Sequence, residues 1–239
     1  MQQHEAIGII GAMDSELSLL LAAMEQREQV EYFGLIFHTG LLGGRRVVLV
    51  KAGIGKVNAA RCTQLLIDQY HPAAILNTGI AGGLAPGLQV GDLVVADGLV
   101  QHDFDVTAFG HAKGYLCTGG DSSVPTVFRA DRQLSEALTA AAQAVLGAEK
   151  VHTGLIATGD QFISGREKKA ELYELFHASA AEMEGGAIAQ VAALSGVPFA
   201  VIRAISDLAD GTAAESYDTF EHQAANHSAE TVKQALGSY

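Results

Sequence analysis

Short apolar runs alternate along this chain with longer stretches in which apolar residues return every three or four positions. Residues 6–11 (AIGIIG) are a run of the first kind, the pattern of a strand buried on both faces. Asp14 then offers a helix N-cap, Glu16 falls in the first turn, and Leu17, Leu20, Leu21 and Met24 recur at helical spacing. Residues 32–38 and 45–51 predict a strand pair joined through 41–44. A helix over 56–70 is stopped by Pro72, and a strand over 73–77 runs into the loop TGIAGG. Residues 93–100, 155–157 and 199–205 (FAVIRAI) read as strands. Residues 132–146, 167–176, 186–195 and 217–235 read as helices, the first closed by Gly147. The stretch 101–131, with Gly110, Gly114, Gly119, Gly120 and Pro125, is the least regular and predicts a long functional loop. Strands alternating with helices imply an α/β fold: one domain over 1–239 with a central, mixed, mainly parallel twisted sheet flanked by helices.

Composition narrows the class. Apolar residues make up 49% of the 239 residues, which suits one sizeable core and excludes general disorder. The formal net charge of −12, without a Lys/Arg run, argues against partnership with nucleic acid or anionic lipid. The span between Asp68 and Asp92 carries no Asp, Glu, Lys or Arg. Pro72, Pro86 and five glycines interrupt it more densely than a membrane helix tolerates. Cys62 and Cys117 make no disulfide framework and no CxxC, and the N-terminal segment has no basic leader pattern, so the expected compartment is the cytoplasm.

In parallel sheets ligands bind where strands end, and several strand ends here deliver a carboxylate or a glycine turn. They are Met13-Asp14-Ser15-Glu16, Gly79-Ile80-Ala81-Gly82, Asp160-Gln161-Phe162, Glu182-Met183-Glu184 and Ser206-Asp207. Each has a structural alternative. Glu16 suits the positive end of a helix, and Asp160 suits a cap or turn. Glu182 and Glu184 form a polar rim on one reading, although they sit in an Ala-rich apolar stretch. Asp207 is placed to pair with Arg203 of its own strand. Taken together, these acids share one edge of one sheet.

Other chemistries lack their motifs. GIGKVN misses both the dinucleotide fingerprint and the P-loop, and GxSxG, HExxH and Cys/His zinc patterns are absent. His102-Asp103-Phe104-Asp105 reads as an exposed polar strand end, too poor in oxygen ligands for a hard metal, and Lys56 as a solvated residue opening its helix. No metal and no cofactor are expected.

GIIGAMDSE, AGIGKVNAA, LNTGIAGGL, GDLVVADGLVQHDFDVTAFG, ATGDQFI, AEMEGGAIAQVA, VPFAVIRAISDLAD and SYDTF occur in this order along essentially the whole chain. In them the chain resembles bacterial 5′-methylthioadenosine/S-adenosylhomocysteine nucleosidases of the nucleoside phosphorylase superfamily. The resemblance implies that superfamily's fold and cleavage of the adenine–ribose bond in 5′-thio-substituted adenosines. It assigns activation of water to Glu16 and an acid at purine N7 to Asp207, with Ser206 beside it. Glu184 would hold the ribose hydroxyls, with Met183 against the sugar. Phe162 would stack on adenine, the Ile163 backbone would read its edge, and Ile80, Ala81 and Gly82 would line the base and ribose region. Met13, Ile54 and Tyr217 complete the implied pocket. Val106 and Phe109 would cross from the second subunit of a homodimer to close the 5′ end. An adenine nucleoside is thus the expected small-molecule partner. Ile80 stands where the family commonly has serine, Tyr217 where many members have phenylalanine, and Cys117 where many have proline. An aliphatic residue at the first position occurs in members that also cleave 6-amino-6-deoxyfutalosine, and GDQFI, EMEGG and LVQHD are similar to that branch; 5′-deoxyadenosine is a further candidate substrate.

These roles suit the chemistry. Glycosidic cleavage leaves a cationic sugar beside a poor anionic leaving group, so an acid at N7 and carboxylates near the ribose stabilise both ends. A nucleoside phosphorylase would instead need cations for phosphate, and only Arg45 and Arg46 are candidates. An adenosine sensor without turnover would not need all three carboxylates.

Overall fold

The computed structural model describes residues 6–210 and 213–238, with the side chains of 213–216, 218 and 238 excepted. Residues 1–5 of the N-terminal segment, and the side chains of Ser216 and Asp218 in SYDTF, lie outside the described residues. The first half of the chain runs β1 (Ile7–Gly11), α1 (Asp14–Ala23), β2 (Glu25–Tyr32), β3 (Leu35–Leu42), β4 (Arg45–Lys51), α2 (Lys56–Tyr70), β5 (Ala74–Gly83) and β6 (Leu93–Gln101). The second half runs β7 (Val127–Arg129), α3 (Arg132–Leu146), β8 (Val151–Thr158), α4 (Arg166–Phe176), β9 (Ala180–Glu182), α5 (Gly185–Leu194), β10 (Phe199–Asp207) and α6 (Ala213–Ser238).

The α/β class holds, but the sheet is not open. β10 pairs with both β5 and β6, β6 continues through β8 to β9, and β9 returns to β5, so five strands close a barrel. The strands β1, β4, β3 and β2 extend from the edge of β5. Closure depends on the length of β5: its first half pairs with β1 and its last residues, Gly82 and Gly83, pair with β9 along the same edge. TGIAGG, expected as a loop, is therefore strand. The sheet is mixed as expected: β1–β4, β1–β5, β5–β10, β6–β8 and β8–β9 are parallel, and β2–β3, β3–β4, β5–β9, β6–β7 and β6–β10 are antiparallel.

Helices cover two faces. Leu17 and Leu20 of α1, Leu134 and Leu138 of α3, and Ala225, Ala229 and Val232 of α6 pack with Ile7 and Ile9. Ala59, Cys62 and Leu66 of α2 and Ile188, Ala189 and Ala192 of α5 pack with Ile10 on the other face. The alternation along β1 is the period of two in a doubly covered strand. Each large aliphatic side chain so buried contributes about 1.5–3 kcal/mol.

Three local expectations are corrected. The N-cap of α1 is Met13, in extended conformation, while Asp14 is the first helical residue and pairs with Lys51 at the surface. Lys56 does open α2, but it is not solvated: its Nζ donates to Asp103 Oδ1 at 2.6 Å and to Gln101 Oε1 at 3.2 Å. His102 is fully buried and Asp103 largely so, because the start of α2 and the end of β8 fold over that strand end. The 101–131 stretch is mostly irregular as expected, relieved by a 3-10 turn at Thr107–Phe109 and by β7.

Candidate active site

The ends of β1, β8, β9 and β10 and the second half of β5 converge on one cavity of about 460 Å³. Glu16, Glu184, Asp207 and Ser206 reach it, as do Met13, Ile54, Ile80, Ala81, Gly82, Phe162, Ile163, Met183 and Tyr217. Val106 and Phe109 do not line it; Phe109 is 79% exposed on its 3-10 turn. Ala12, Gln161, Ala181 and Glu182 also line the cavity and were not assigned there from sequence. Ala12 and Gln161 adjoin assigned residues, Ala181 adjoins Glu182, and Glu182 had been a candidate with no place.

Glu16 is held through backbone amides. Its Oε2 accepts from the N–H of Ala12 at 2.6 Å and of Met13 at 3.1 Å, and Oε1 accepts from the N–H of Ile80 at 3.2 Å. Glu16, considered from sequence for the positive end of the helix, caps it by accepting from the Met13 amide and also has a place in the cavity. Burial pushes its carboxyl above the ordinary value, opposed by the Arg203 guanidinium and these amides. Gly79 is required here, since a Cβ at that position would fall on Glu16 Oε1 and lie 3.0 Å from Arg203 Nη1.

Glu184 accepts from the N–H of Gly55 at 2.8 Å, and its Oε2 lies 4.0 Å from Arg203 Nη2. Gly55 has φ 97°, a conformation that favours glycine, and this aims its amide at the carboxylate just before α2 begins. Burial, with the Glu182 carboxylate next in weight, pushes Glu184 up to about 8. At neutral pH this side chain can therefore donate as well as accept a hydrogen bond.

Glu182 has a different job. Its Oε2 accepts from Arg203 Nη2 and from the N–H of Gly185 at 2.7 Å, and its Oε1 accepts from the Thr158 hydroxyl. Arg203 also donates to Asn77 Oδ1 at 2.6 Å. Arg203 therefore pairs with Glu182, and the Arg203–Asp207 pair considered from sequence does not form.

Asp207 is 1% exposed. Its Oδ2 accepts from the Ser206 hydroxyl at 2.9 Å and its Oδ1 from the N–H of Ala209 at 3.0 Å. Burial raises its carboxyl above the ordinary value, so a share stays protonated where a solvated aspartate is ionised. Asp160 serves as a cap, but for α2 and not for its own segment, accepting from the N–H of Lys56 at 2.8 Å. The rings of Phe162 and Tyr217 are perpendicular, with centroids 5.8 Å apart, and both line the cavity.

The cavity thus offers three buried carboxyls of raised proton affinity, with Glu16 among them held by amides, beside Glu182 and the rings of Phe162 and Tyr217. None of the described residues lining it is Lys or Arg. Arg45 and Arg46 stand at the opposite end of β4, about 20 Å along the strand from its site end. No group of residues able to hold a metal ion occurs among the described residues.

Comparison with known proteins agrees with this geometry. Residues 6–237 match the family model described as the phosphorylase superfamily. The 5′-methylthioadenosine/S-adenosylhomocysteine nucleosidase of Geobacillus thermodenitrificans is 46% identical over 232 residues, covering 95% of this chain and 94% of that protein. The nucleosidase of the same name from Neisseria meningitidis, solved with methylthio-immucillin-A, superimposes with a TM-score of 0.92 at 41% identity, covering 98% of this chain and 100% of the other. A futalosine hydrolase of Helicobacter pylori superimposes with a TM-score of 0.89 at 34% identity over the full length of both chains.

Proposed function

The chain belongs to the phosphorylase superfamily and, within it, to the 5′-methylthioadenosine/S-adenosylhomocysteine nucleosidases; on that premise we propose that it hydrolyses the N-glycosidic bond of these two nucleosides, releasing adenine and the 5-substituted ribose. One observation carries the choice of water over phosphate as the nucleophile: the described lining holds carboxyls and no cation. A carboxylate beside the nucleophile would repel phosphate, whereas it orients and deprotonates water.

In this reading Glu16 takes the proton of the attacking water, its carboxylate aimed by three amides. Asp207 donates to purine N7 as the bond breaks, so that adenine leaves neutral. Its buried setting is what lets a carboxyl keep a proton for that step. Glu184 holds the ribose hydroxyls with Met183 against the sugar, Phe162 stacks on the base, and Ala81, Gly82 and Ile163 border it. Ile80 carries no hydroxyl, which leaves hydrogen bonding in that corner to Ser206 and water. The likeness to a futalosine hydrolase supports including 6-amino-6-deoxyfutalosine in the proposed substrate range.

The reading includes a homodimer, in which Val106 and Phe109 close the partner's pocket. What supports it is the outward exposure of Phe109 and Val57, each 79%, on segments adjoining the site through the Lys56–Asp103 pair. One domain over 1–239 and a cytoplasmic setting belong to the same reading; no helix among the described residues is long and apolar enough to cross a membrane. Adenine release in phosphate-free buffer, unchanged by added phosphate, is the expected result. Strict dependence on phosphate would replace this reading with a phosphorylase, and binding without turnover would replace it with a sensor.

A further inference from the structure

β10 ends on Asp207, and the chain turns at once through Leu208, Ala209 and Asp210. Ala209 is fully buried with φ 51°, a left-handed conformation unusual for a residue with a Cβ. Because its N–H donates to Asp207 Oδ1, the orientation of that carboxyl depends on this turn keeping its shape. The carbonyls on either side of Ala209 are both taken by cations from the start of α4. Lys169 Nζ donates to Leu208 O at 2.6 Å, and Arg166 Nε donates to Asp210 O at 2.9 Å. Cations near a helix N-terminus run against the helix dipole, so α4 gains nothing from them there. Their position is explained by the turn they hold.

Lys169 also faces Asp207 electrostatically. The charged groups around the Asp207 carboxyl are Lys169 from α4 and Asp210 from its own turn, with Glu16 and Glu184 across the cavity. Lys169 is half-buried, and its own proton affinity is lowered by that burial and restored in part by Asp210 and Asp207. A cation so placed favours the ionised form of Asp207 and opposes the effect of burial.

We infer that Lys169 is a positioning residue for the acid at the end of β10: with Arg166 it holds the 207–210 turn, and through that turn the Ala209 amide that grips the Asp207 carboxyl. The catalytic consequence rests on the nucleosidase reading above, whereas the effect on the Asp207 carboxyl does not. Lys169 itself transfers no proton and lies outside the cavity lining.

The test follows the Asp207 carboxyl in the whole protein by 13C NMR across pH, assigned with Asp207→Asn. In Lys169→Met its titration midpoint should move to higher pH, and in Lys169→Arg it should return toward that of the unsubstituted protein. Lys168→Met, which removes only a cation paired with Glu171, should leave it in place. Turnover adds a second readout: kcat of Lys169→Met should fall by roughly 10–100-fold from misplacement of the acid, with KM changed far less, and the basic limb of its pH profile should move upward. An Asp207 midpoint in Lys169→Met equal to that of the unsubstituted protein overturns the inference, whatever happens to melting temperature. Failure of the unsubstituted protein to release adenine would overturn the nucleosidase reading while the carboxyl titration still decides the role of Lys169.

Discussion

Arg203 donates to Glu182 in a fully buried ion pair, and Asp207, four residues further along the same strand, stands outside it. Glu182 is engaged on both oxygens, by Arg203, Thr158 and the amides that open α5, and so is committed to structure. Asp207 accepts from Ser206 beside it on β10 and from Ala209 of the following turn, and it lines the cavity. This division of labour separates residues whose loss unfolds the protein from residues whose loss silences it.

Asp207→Asn should keep the fold and lose the reaction. The asparagine fits the same space but carries no transferable proton, so turnover should fall by about 10²–10⁴-fold or more. Affinity for a ground-state analogue should change far less, because the bond to N7 strengthens mainly as the purine leaves. Turnover, analogue affinity and melting temperature measured together check this. A variant that melts early yet turns over normally per folded molecule would remove Asp207 from the mechanism.

Glu182→Gln should behave in the opposite way. It leaves the Arg203 guanidinium buried without its carboxylate, a loss of about 3–5 kcal/mol in unfolding free energy by denaturant titration. A variant as stable as the unsubstituted chain would mean that Glu184, 4.0 Å away, takes over the pairing.

Glu184 makes stability depend on pH. Its carboxyl titrates near 8 in the folded chain against 4.5 ordinarily, so between those values the folded state holds a proton that the unfolded state has lost. Its stabilising contribution is complete below about 4.5 and disappears as pH rises through about 8. Glu184→Gln removes that dependence. The melting temperature of the variant should therefore rise relative to the unsubstituted protein from pH 5 to pH 9, and parallel curves would refute the assignment.

Ile80→Ser should shift preference among 5′ substituents by a modest factor. The side chain borders the cavity, while the contact of Ile80 with Glu16 is through its backbone N–H and survives the change. Side-by-side turnover of 5′-methylthioadenosine, S-adenosylhomocysteine and 6-amino-6-deoxyfutalosine measures it. A drop of several orders of magnitude on all three would show that this corner does more than shape the pocket.

Gly79→Ala should abolish activity with an intact fold or prevent folding outright, since the added methyl overlaps the Glu16 carboxylate. Normal turnover would mean that Glu16 is free to move aside, and a dispensable position for Glu16 would follow.

The class, the succession of most strands and helices, and the acids that meet in the cavity were legible in the residue pattern alone. Buried strands read as unbroken apolar runs, and a carboxylate at the end of such a run has few structural uses. Short β7 and the exposed, highly charged β2 escaped notice because a strand of three residues, or one that buries almost nothing, leaves no periodic trace. Closure of the sheet into a barrel was not legible there, since it depends on which long strands share an edge and no local pattern encodes that. Nor was pairing: Arg203 lay in sequence nearer to Asp207, yet the fold turns its guanidinium toward Glu182, 21 positions away. Lys56, Asp103 and Asp160 read as surface residues one at a time, and they join only because three strand ends meet. Residue type tells what a group can do; which neighbour it does it with is settled by long-range packing, where a buried charge finds the partner that offsets its lost hydration.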